Sequence, residues 1–279
     1  MRIITDTGSL LTKKRAKELD VTLLPLQVTV GGNNFRDYFD ITESKFIELI
    51  KTAYPVTSQP AIGEVIKAYE DQGEALHIAM TTGLSGAYNS AYGHIQVENI
   101  KHVTLFNSKT LAGTQQYLVE LASILKEDHT IDEIIERMEY CLEECQSFLI
   151  PNDFDYLKRG GRLSLLGATL GGLIKIKPIV TQIEGGEKIE RFGFKRTWRG
   201  ALREIVKHMK NNGVSDKHKI YIFHAQNKDT ALLAKELIEE SIEKADIKVM
   251  TLTPAMITQG GPGLVAIQYI RKDKEIDTI

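Results

Sequence analysis

Four short turns of the sequence carry hydroxyl groups, and each follows an apolar run that predicts a strand. In an open α/β sheet, ligands bind beyond the carboxyl ends of strands, where such turns lie. Hydroxyls at helix N-termini, with free backbone N–H groups and the helix dipole, can hold an anion such as a carboxylate. Taken singly, the same residues could simply cap helices. The turns are Thr5-Asp6-Thr7, Thr57-Ser58-Gln59-Pro60, Leu84-Ser85-Gly86-Ala87-Tyr88 and Asn107-Ser108.

Ser85 is the candidate nucleophile of the chain. The segment Gly83-Leu84-Ser85-Gly86 resembles a nucleophile elbow, but that motif requires G-x-S-x-G, and here a glycine directly follows the serine. No histidine or aspartate stands in a recognised relation to Ser85, and a serine without a base is inert. We therefore expect no catalytic residue and no enzyme activity. The alternative is a serine-dependent hydrolase or acyltransferase that uses Ser85.

The sequence contains no standard motif for phosphate or metal binding. Neither G-x-G-x-x-G nor G-x-x-x-x-G-K-[ST] occurs, and the seven histidines show no H-x-H or H-E-x-x-H spacing. Cys141 and Cys145 are expected one turn apart in a long helix over residues 131–148. A disulfide between such positions has poor geometry, and two thiols alone make a weak metal site. We therefore predict neither a metal nor a cofactor.

Length and charge set the class of the protein. A chain of 279 residues exceeds the usual size of a single core, which favours two α/β domains. The net charge of −2 gives no reason to expect a nucleic-acid partner. The N-terminus, MRIITDTGSL, lacks the apolar region of a secretory signal. Two stretches without charge, residues 75–97 and 249–270, are interrupted by glycine and polar residues, so neither predicts a membrane span. We expect a cytoplasmic protein with no integral membrane association.

The order of predicted elements differs between the two halves of the chain. Strands alternate with helices in the first half, which predicts a parallel sheet covered on both faces. In the second half, strands at 176–183 and 189–194 flank a Gly-Gly turn, which is a hairpin signal. The fold class is therefore α/β with a parallel-sheet N-terminal domain, residues 1–150, and a smaller C-terminal domain with antiparallel pairs, residues 151–279.

Basic residues cluster in the second half of the sequence. Such charges usually form a solvated surface, and a docking surface for a partner is the other interpretation. The basic residues in question are Lys158, Arg159, Arg162, Lys175, Lys177, Lys195, Arg196 and Arg199.

Seven motifs in a fixed order resemble those of the DegV family of fatty-acid-binding proteins. Each motif is a weak signal alone, and their order along nearly the whole chain makes the resemblance specific. They are Ile4-Thr5-Asp6-Thr7, Leu24-Pro25-Leu26, Thr57-Ser58-Gln59-Pro60, Leu84-Ser85-Gly86-Ala87-Tyr88, Asp155-Tyr156-Leu157-Lys158-Arg159-Gly160-Gly161-Arg162, Ile176-Lys177-Pro178 and Gly261-Pro262-Gly263.

The resemblance implies a two-domain protein that buries a long-chain fatty acid, such as palmitate, between its domains. It implies that Thr57 and Ser85 hydrogen-bond the carboxyl group of the ligand and that Arg162 lies near the mouth of the pocket. Some members of the family present the bound acid to a separate fatty acid kinase subunit. We expect such a partner to dock through an anionic surface on Arg162, Lys195, Arg196 and Arg199. Such charge contacts mainly set the rate of association and its salt dependence. A lipid-sensing regulatory protein is a further alternative.

Gln259 departs from the family pattern, which often has a histidine two positions before Gly-Pro-Gly. The family also often has aspartate where this chain has Asn107, and threonine where it has Ala87. An amide cannot titrate, but it offers two donors and one acceptor. We predict that Gln259 faces the ligand carboxyl together with Thr57 and Ser85. The alternative is that it only braces the glycine-rich turn that follows it.

Overall fold

The computed structural model describes residues 1–161, 176–276 and 279 of the chain, which divides into two compact units. Unit 1 consists of Met1–Cys141, Thr253–Ala255 and Asp273–Ile279, and unit 2 consists of Leu142–Leu252 and Met256–Lys272. Arg162, one of the residues singled out in the sequence, lies outside the described residues.

Two sheets form the framework of unit 1. Its strands are β1 (Arg2–Asp6), β2 (Val21–Leu24), β3 (Gln27–Val30), β4 (Asn33–Arg36), β5 (Val56–Ser58), β6 (Ala75–Ala79) and β7 (Val103–Asn107). The larger sheet has the order β2-β1-β6-β7, and all its neighbours are parallel. Every residue of β6 is buried, as expected for a central strand of a parallel sheet. The smaller sheet, β4-β3-β5, is antiparallel. The predicted parallel sheet is therefore confirmed.

Six α-helices begin within the first 141 residues of the chain, and the first two of them have threonine caps. They are α1 (Lys13–Glu18), α2 (Glu43–Leu49), α3 (Ile62–Tyr69), α4 (Ala87–Val97), α5 (Ala112–Leu125) and α6 (Ile131–Leu142). Thr12 and Thr42 cap α1 and α2, because the hydroxyl oxygen of each accepts a hydrogen bond from the backbone N–H of the residue three positions later. The helix α5 is buried along almost all of its length and brings polar Gln115 into the interior, next to the end of β1.

A six-stranded sheet forms the centre of unit 2. Its strands are β8 (Gln146–Ile150), β9 (Lys177–Ile183), β10 (Lys188–Lys195), β11 (His218–His224), β12 (Asp246–Thr251) and β13 (Val265–Arg271), in the order β10-β9-β8-β13-β11-β12. Only the pair β11–β12 in this sheet is parallel, so the antiparallel pairs and the predicted hairpin are confirmed. The helices α7 (Phe154–Arg159), α8 (Trp198–Asn211) and α9 (Lys228–Glu239) accompany the sheet. Across the described residues, no helix combines the length and the apolar character that a bilayer crossing requires.

The long helix predicted over residues 131–148 is wrong. The helix α6 ends at Leu142, and the chain continues as β8 from Gln146. The strand forms because β8 pairs with β13 and buries Phe148 in the core of unit 2. Cys141 lies buried in α6 and Cys145 lies beyond the end of this helix, so the two residues do not share one helical turn, and they are not joined in a disulfide.

The strand β8 belongs to unit 2, which therefore begins before residue 150, where the sequence placed the domain boundary. Two late segments of the chain also belong to unit 1. The helix α10 (Pro254–Gly260), which the sequence did not predict, starts in one of them and ends in unit 2. A single boundary in the sequence therefore does not separate the two units, because the chain returns to unit 1 after residue 252.

Candidate functional site

Thr57 lies in the short strand β5, whose backbone is fixed by pairing with β3. In this register Thr57 stands opposite Val28, which is fully buried. The strand ends at Ser58, and Gln59 precedes Pro60, so the backbone of Gln59 is restricted to an extended conformation. These constraints hold the Thr57 turn in one geometry before α3 begins.

Ser85 lies at the turn between β6 and α4. Its backbone N–H donates to the carbonyl oxygen of Thr81 at 3.2 Å. Its hydroxyl oxygen accepts a hydrogen bond from the backbone N–H of Ala87, also at 3.2 Å. The N-cap residue of α4 is Gly86, which supplies no side-chain cap. Ser85 therefore sits beside a helix N-terminus, as the sequence suggested, with the positive end of the helix dipole next to it.

The two turns meet through Gln59 and Gly86. A Cβ placed on Gly86 would lie 3.0 Å from Oε1 of Gln59, so the amide oxygen of Gln59 lies directly against the glycine. The structure thus brings the turn that carries Thr57 together with the turn that carries Ser85, within unit 1. No local sequence pattern indicates a role for Gln59. Only its place in a hydroxyl-bearing turn before a proline could have drawn attention to it.

In the other two hydroxyl-bearing turns, polar side chains form hydrogen bonds with other groups of the protein. Asp6 is fully buried, and its carboxylate accepts hydrogen bonds from the backbone N–H groups of Gly8 at 2.8 Å and Met80 at 3.1 Å. Burial raises the pKa of Asp6 to about 6, although these hydrogen bonds lower it. In the fourth turn, Asn107 donates to the Thr82 hydroxyl at 3.2 Å, while the Ser108 hydroxyl donates to the backbone. These two turns serve the fold.

Asp37 is a second buried carboxyl group of unit 1, and no sequence motif indicated it. Its side chain is 0% exposed, and Oδ1 accepts a hydrogen bond from the backbone N–H of Ala255 at 3.0 Å. Burial raises the pKa of Asp37 to about 6; the Ala255 N–H and the hydroxyls of Thr7 and Thr253 lower it. Asp37 therefore fastens a segment that lies 218 residues later in the chain.

Gln259 lies near the end of α10 and contacts another glycine turn of unit 2. A Cβ on Gly160 would come within 2.7 Å of its Oε1 atom. Two residues later, a Cβ on Gly261 would lie 2.6 Å from the ring of Tyr156, and the backbone φ of Gly261 is +76°. The glycine-rich turn after α10 is therefore packed against α7 and the Gly160-Gly161 turn. This geometry gives Gln259 a local contact and leaves the ligand contact a prediction.

The basic residues Arg196 and Arg199 are exposed at the start of α8. They flank Thr197, which caps the helix by accepting from the backbone N–H of Gly200 at 3.0 Å. Cations are disfavoured at a helix N-terminus, so the helix itself does not explain their presence there. The neighbouring Lys195 forms an ion pair with Glu204 at 3.1 Å.

A cavity of about 680 Å³ opens on unit 1, away from these candidate residues. Neither Thr57 nor Ser85 contributes to its wall, which is built around the buried Tyr69 and the ring of His94 stacked on it. The other lining residues are Ile66, Glu70, Gln72, Glu98, Asn99, Ile100, Lys101 and His102. This cavity does not mark the predicted carboxyl site.

Comparison with known proteins identifies the family. A family model described as "Uncharacterised protein, DegV family" matches residues 1–272. A DegV domain-containing protein from Staphylococcus aureus is 30% identical, and the match covers 97% of this chain and 98% of that protein. The structure is similar to two solved structures whose sequences are each 25% identical to this chain. One, a fatty acid binding DegV family protein from Streptococcus agalactiae, has a TM-score of 0.88, with 98% of this chain and 99% of that chain covered. The other, a DegV family protein from Thermus thermophilus reported for its fatty acid binding, has a TM-score of 0.87, with 98% and 100% covered. Sequence, fold and length agree along nearly the whole chain, which is a member of the DegV family.

Proposed function

We propose that this chain binds a long-chain fatty acid and that Thr57 and Ser85 hold the carboxyl group. The observation that carries the proposal is the contact of Gln59 with Gly86, which joins the two hydroxyl-bearing turns in unit 1. A carboxylate is an anion that suits hydroxyl groups beside a helix N-terminus. Further support comes from the relatives in Streptococcus agalactiae and Thermus thermophilus, which are described by their fatty acid binding.

The energetics favour a ligand with a long apolar tail. Each buried CH₂ group contributes about 0.8 kcal/mol, so a 16-carbon acid such as palmitate gains roughly 10 kcal/mol before ordering costs. A hydrogen bond from a hydroxyl group adds only about 1 kcal/mol. The tail therefore supplies most of the affinity, while Thr57 and Ser85 fix the orientation of the ligand.

Gln259 is the third group that we assign to the carboxyl. It stands two residues before Gly261-Pro262-Gly263, and its amide can donate hydrogen bonds to a carboxylate oxygen. Because the amide oxygen lies against Gly160, the amide nitrogen is the atom that we assign to the ligand. A glutamine at this position does not titrate, so its contribution is independent of pH.

The protein is proposed to act as a carrier and not as an enzyme. Within the described residues, the hydrogen bond made to the Ser85 hydroxyl comes from the backbone N–H of Ala87 and not from a base. The carrier would present the acid in the cytoplasm to a separate fatty acid kinase subunit, which would dock on Arg196 and Arg199. Hydrolysis of an ester substrate that is lost on Ser85→Ala would instead support the hydrolase alternative.

The direct test is native mass spectrometry of the protein purified from bacteria. One fatty acid per chain should remain bound under gentle ionisation, and solvent extraction should release it for identification. A protein that carries a nucleotide, or that is empty and takes up no added palmitate, contradicts the proposal.

Alanine variants test the assignment of the carboxyl group. Thr57→Ala and Ser85→Ala should each weaken palmitate binding about fivefold, the effect of one hydrogen bond of roughly 1 kcal/mol, without unfolding the protein. Ser58→Ala is the matched control, because neighbouring side chains in a strand point to opposite faces. If both variants bind palmitate as tightly as the control, Thr57 and Ser85 do not hold the carboxyl.

A further inference from the structure

Gly86 has no conformational need to be a glycine. Its backbone angles, φ −75° and ψ −3°, are ordinary for any L-residue. As the N-cap of α4 it occupies a position where serine, threonine, asparagine or aspartate are generally more favourable. The obstacle to a side chain is external, because a Cβ would lie 3.0 Å from Oε1 and 3.6 Å from Cδ of Gln59. A side chain at this position would therefore require the amide of Gln59 to move.

The Gln59 side chain is exposed, so core packing does not require its contact with Gly86. Its backbone is held between the end of β5 and Pro60, which limits where the side chain can reach. Its amide oxygen lies beside Gly86 at the N-terminus of the 11-residue helix α4, where a partial negative charge is favourable. The contact thus joins two turns whose contacting residues, Gln59 and Gly86, are 27 positions apart in the chain.

We propose that Gln59 is a positioning residue that sets the spacing of Thr57 and Ser85 for a carboxylate ligand by resting on Gly86. Gln59 is two residues from Thr57, and Gly86 directly follows Ser85. A shift of the Gln59–Gly86 contact therefore changes the distance between the two hydroxyl groups. This inference rests on the proposed fatty acid binding and adds to it the element that makes the site selective for an acid.

The experiment compares the affinities for palmitic acid and methyl palmitate, whose tails are the same. Their ratio isolates recognition of the carboxylate, because the contribution of the apolar chain cancels. Gln59→Met removes the amide oxygen at similar length, and Gly86→Ala keeps Gln59 but crowds its amide. Each variant should lower the acid-to-ester ratio by about tenfold, which corresponds to one hydrogen bond to a charged group. The double variant should lose no more than the worse single variant, because both changes act on one contact.

Gln96→Met is the matched control, since Gln96 is an exposed glutamine on α4, the helix that follows Gly86. Its acid-to-ester ratio and melting temperature should equal those of the wild type. Three results separate the possible failures. If Gln59→Met and Gly86→Ala keep the wild-type ratio, or lower the affinities for acid and ester equally, the positioning role is overturned while fatty acid binding stands. If the wild type binds neither ligand, the proposed function itself fails.

Discussion

At the scale of single residues, Asp6 and Asp37 are buried carboxyl groups without a cationic neighbour among the groups that govern their pKa values. The hydrogen bonds that they accept come from the backbone N–H groups of Gly8, Met80 and Ala255 and from the neutral amide of Gln115. The two carboxyls also repel each other, which adds to the increase in the pKa of Asp37. The protonated form of each carboxyl group is therefore favoured more strongly in the folded protein than in the unfolded chain.

Asp6→Asn should flatten the dependence of stability on pH. The folded pKa of about 6 lies above the ordinary aspartate pKa of 3.8, so Asp6 stabilises the fold at low pH and loses this contribution as pH rises through about 6. Between pH 5 and 7.5 the loss is about 1.4 kcal/mol, the equivalent of one pKa unit. Urea unfolding of both proteins over this range measures it.

The comparison with wild type is necessary because His77 acts in the opposite direction. Burial lowers the pKa of His77 to about 4, so its contribution to stability decreases as pH falls below the unfolded value of 6.5. This contribution is common to both proteins and cancels in their difference. Two parallel stability curves for wild type and Asp6→Asn would contradict the titration that we assign to Asp6.

At the scale of elements, the turn after α10 depends on close packing with α7. Gly261→Ala should destabilise unit 2 for two reasons: its φ of +76°, and a Cβ 2.6 Å from the Tyr156 ring. Gly185→Ala is the matched control, because Gly185 has φ +62° and no atom within 4 Å of an added Cβ. The control should cost about 1 kcal/mol from backbone strain, and Gly261→Ala about 1–3 kcal/mol more from overpacking. Thermal unfolding measures both, and equal decreases in melting temperature would show that Tyr156 does not crowd the turn.

Local pattern predicted the elements that depend on local chemistry. The caps at Thr12 and Thr42 and the hairpin of β9 and β10 follow from residues that are neighbours in sequence. The helix over residues 131–148 failed because β8 is a strand by virtue of its pairing with β13, which lies more than 100 residues away. Tertiary pairing overrode the helical pattern there.

The candidate site shows the same division. Thr57 and Ser85 stand in turns whose hydroxyl chemistry is visible in the sequence, and the resemblance assigns them a role. The contacts of Gln59 with Gly86 and of Asp37 with Ala255 join distant segments, so no local spacing indicates them. A pattern of residue types gives the chemistry of a turn, but the partner of that turn comes only from the fold.

At the scale of the whole molecule, the charge reversals Arg196→Glu and Arg199→Glu test the proposed partner. Together they should slow phosphorylation of the bound acid by a fatty acid kinase at low salt and leave palmitate affinity unchanged, because charges at the edge of an interface mainly set the rate of association. Transfer assays at two salt concentrations measure the effect. Lys14→Glu with Lys17→Glu on α1 is a control of equal charge. A variant that transfers as fast as this control removes Arg196 and Arg199 from the docking surface.

The division of the chain between the two units has a consequence for how the protein folds during synthesis. Unit 1 begins with the first residue but includes Thr253–Ala255 and Asp273–Ile279. Asp37 accepts a hydrogen bond from the backbone N–H of Ala255. Asp273 forms an ion pair with Arg137, and its backbone N–H donates a hydrogen bond to the Tyr117 hydroxyl oxygen. A ribosome that has released only the first half of the chain has therefore not supplied the parts that complete unit 1. Its final folding step waits for Asp273 to emerge, so chains stalled before that residue expose an incomplete unit 1 to proteases and chaperones.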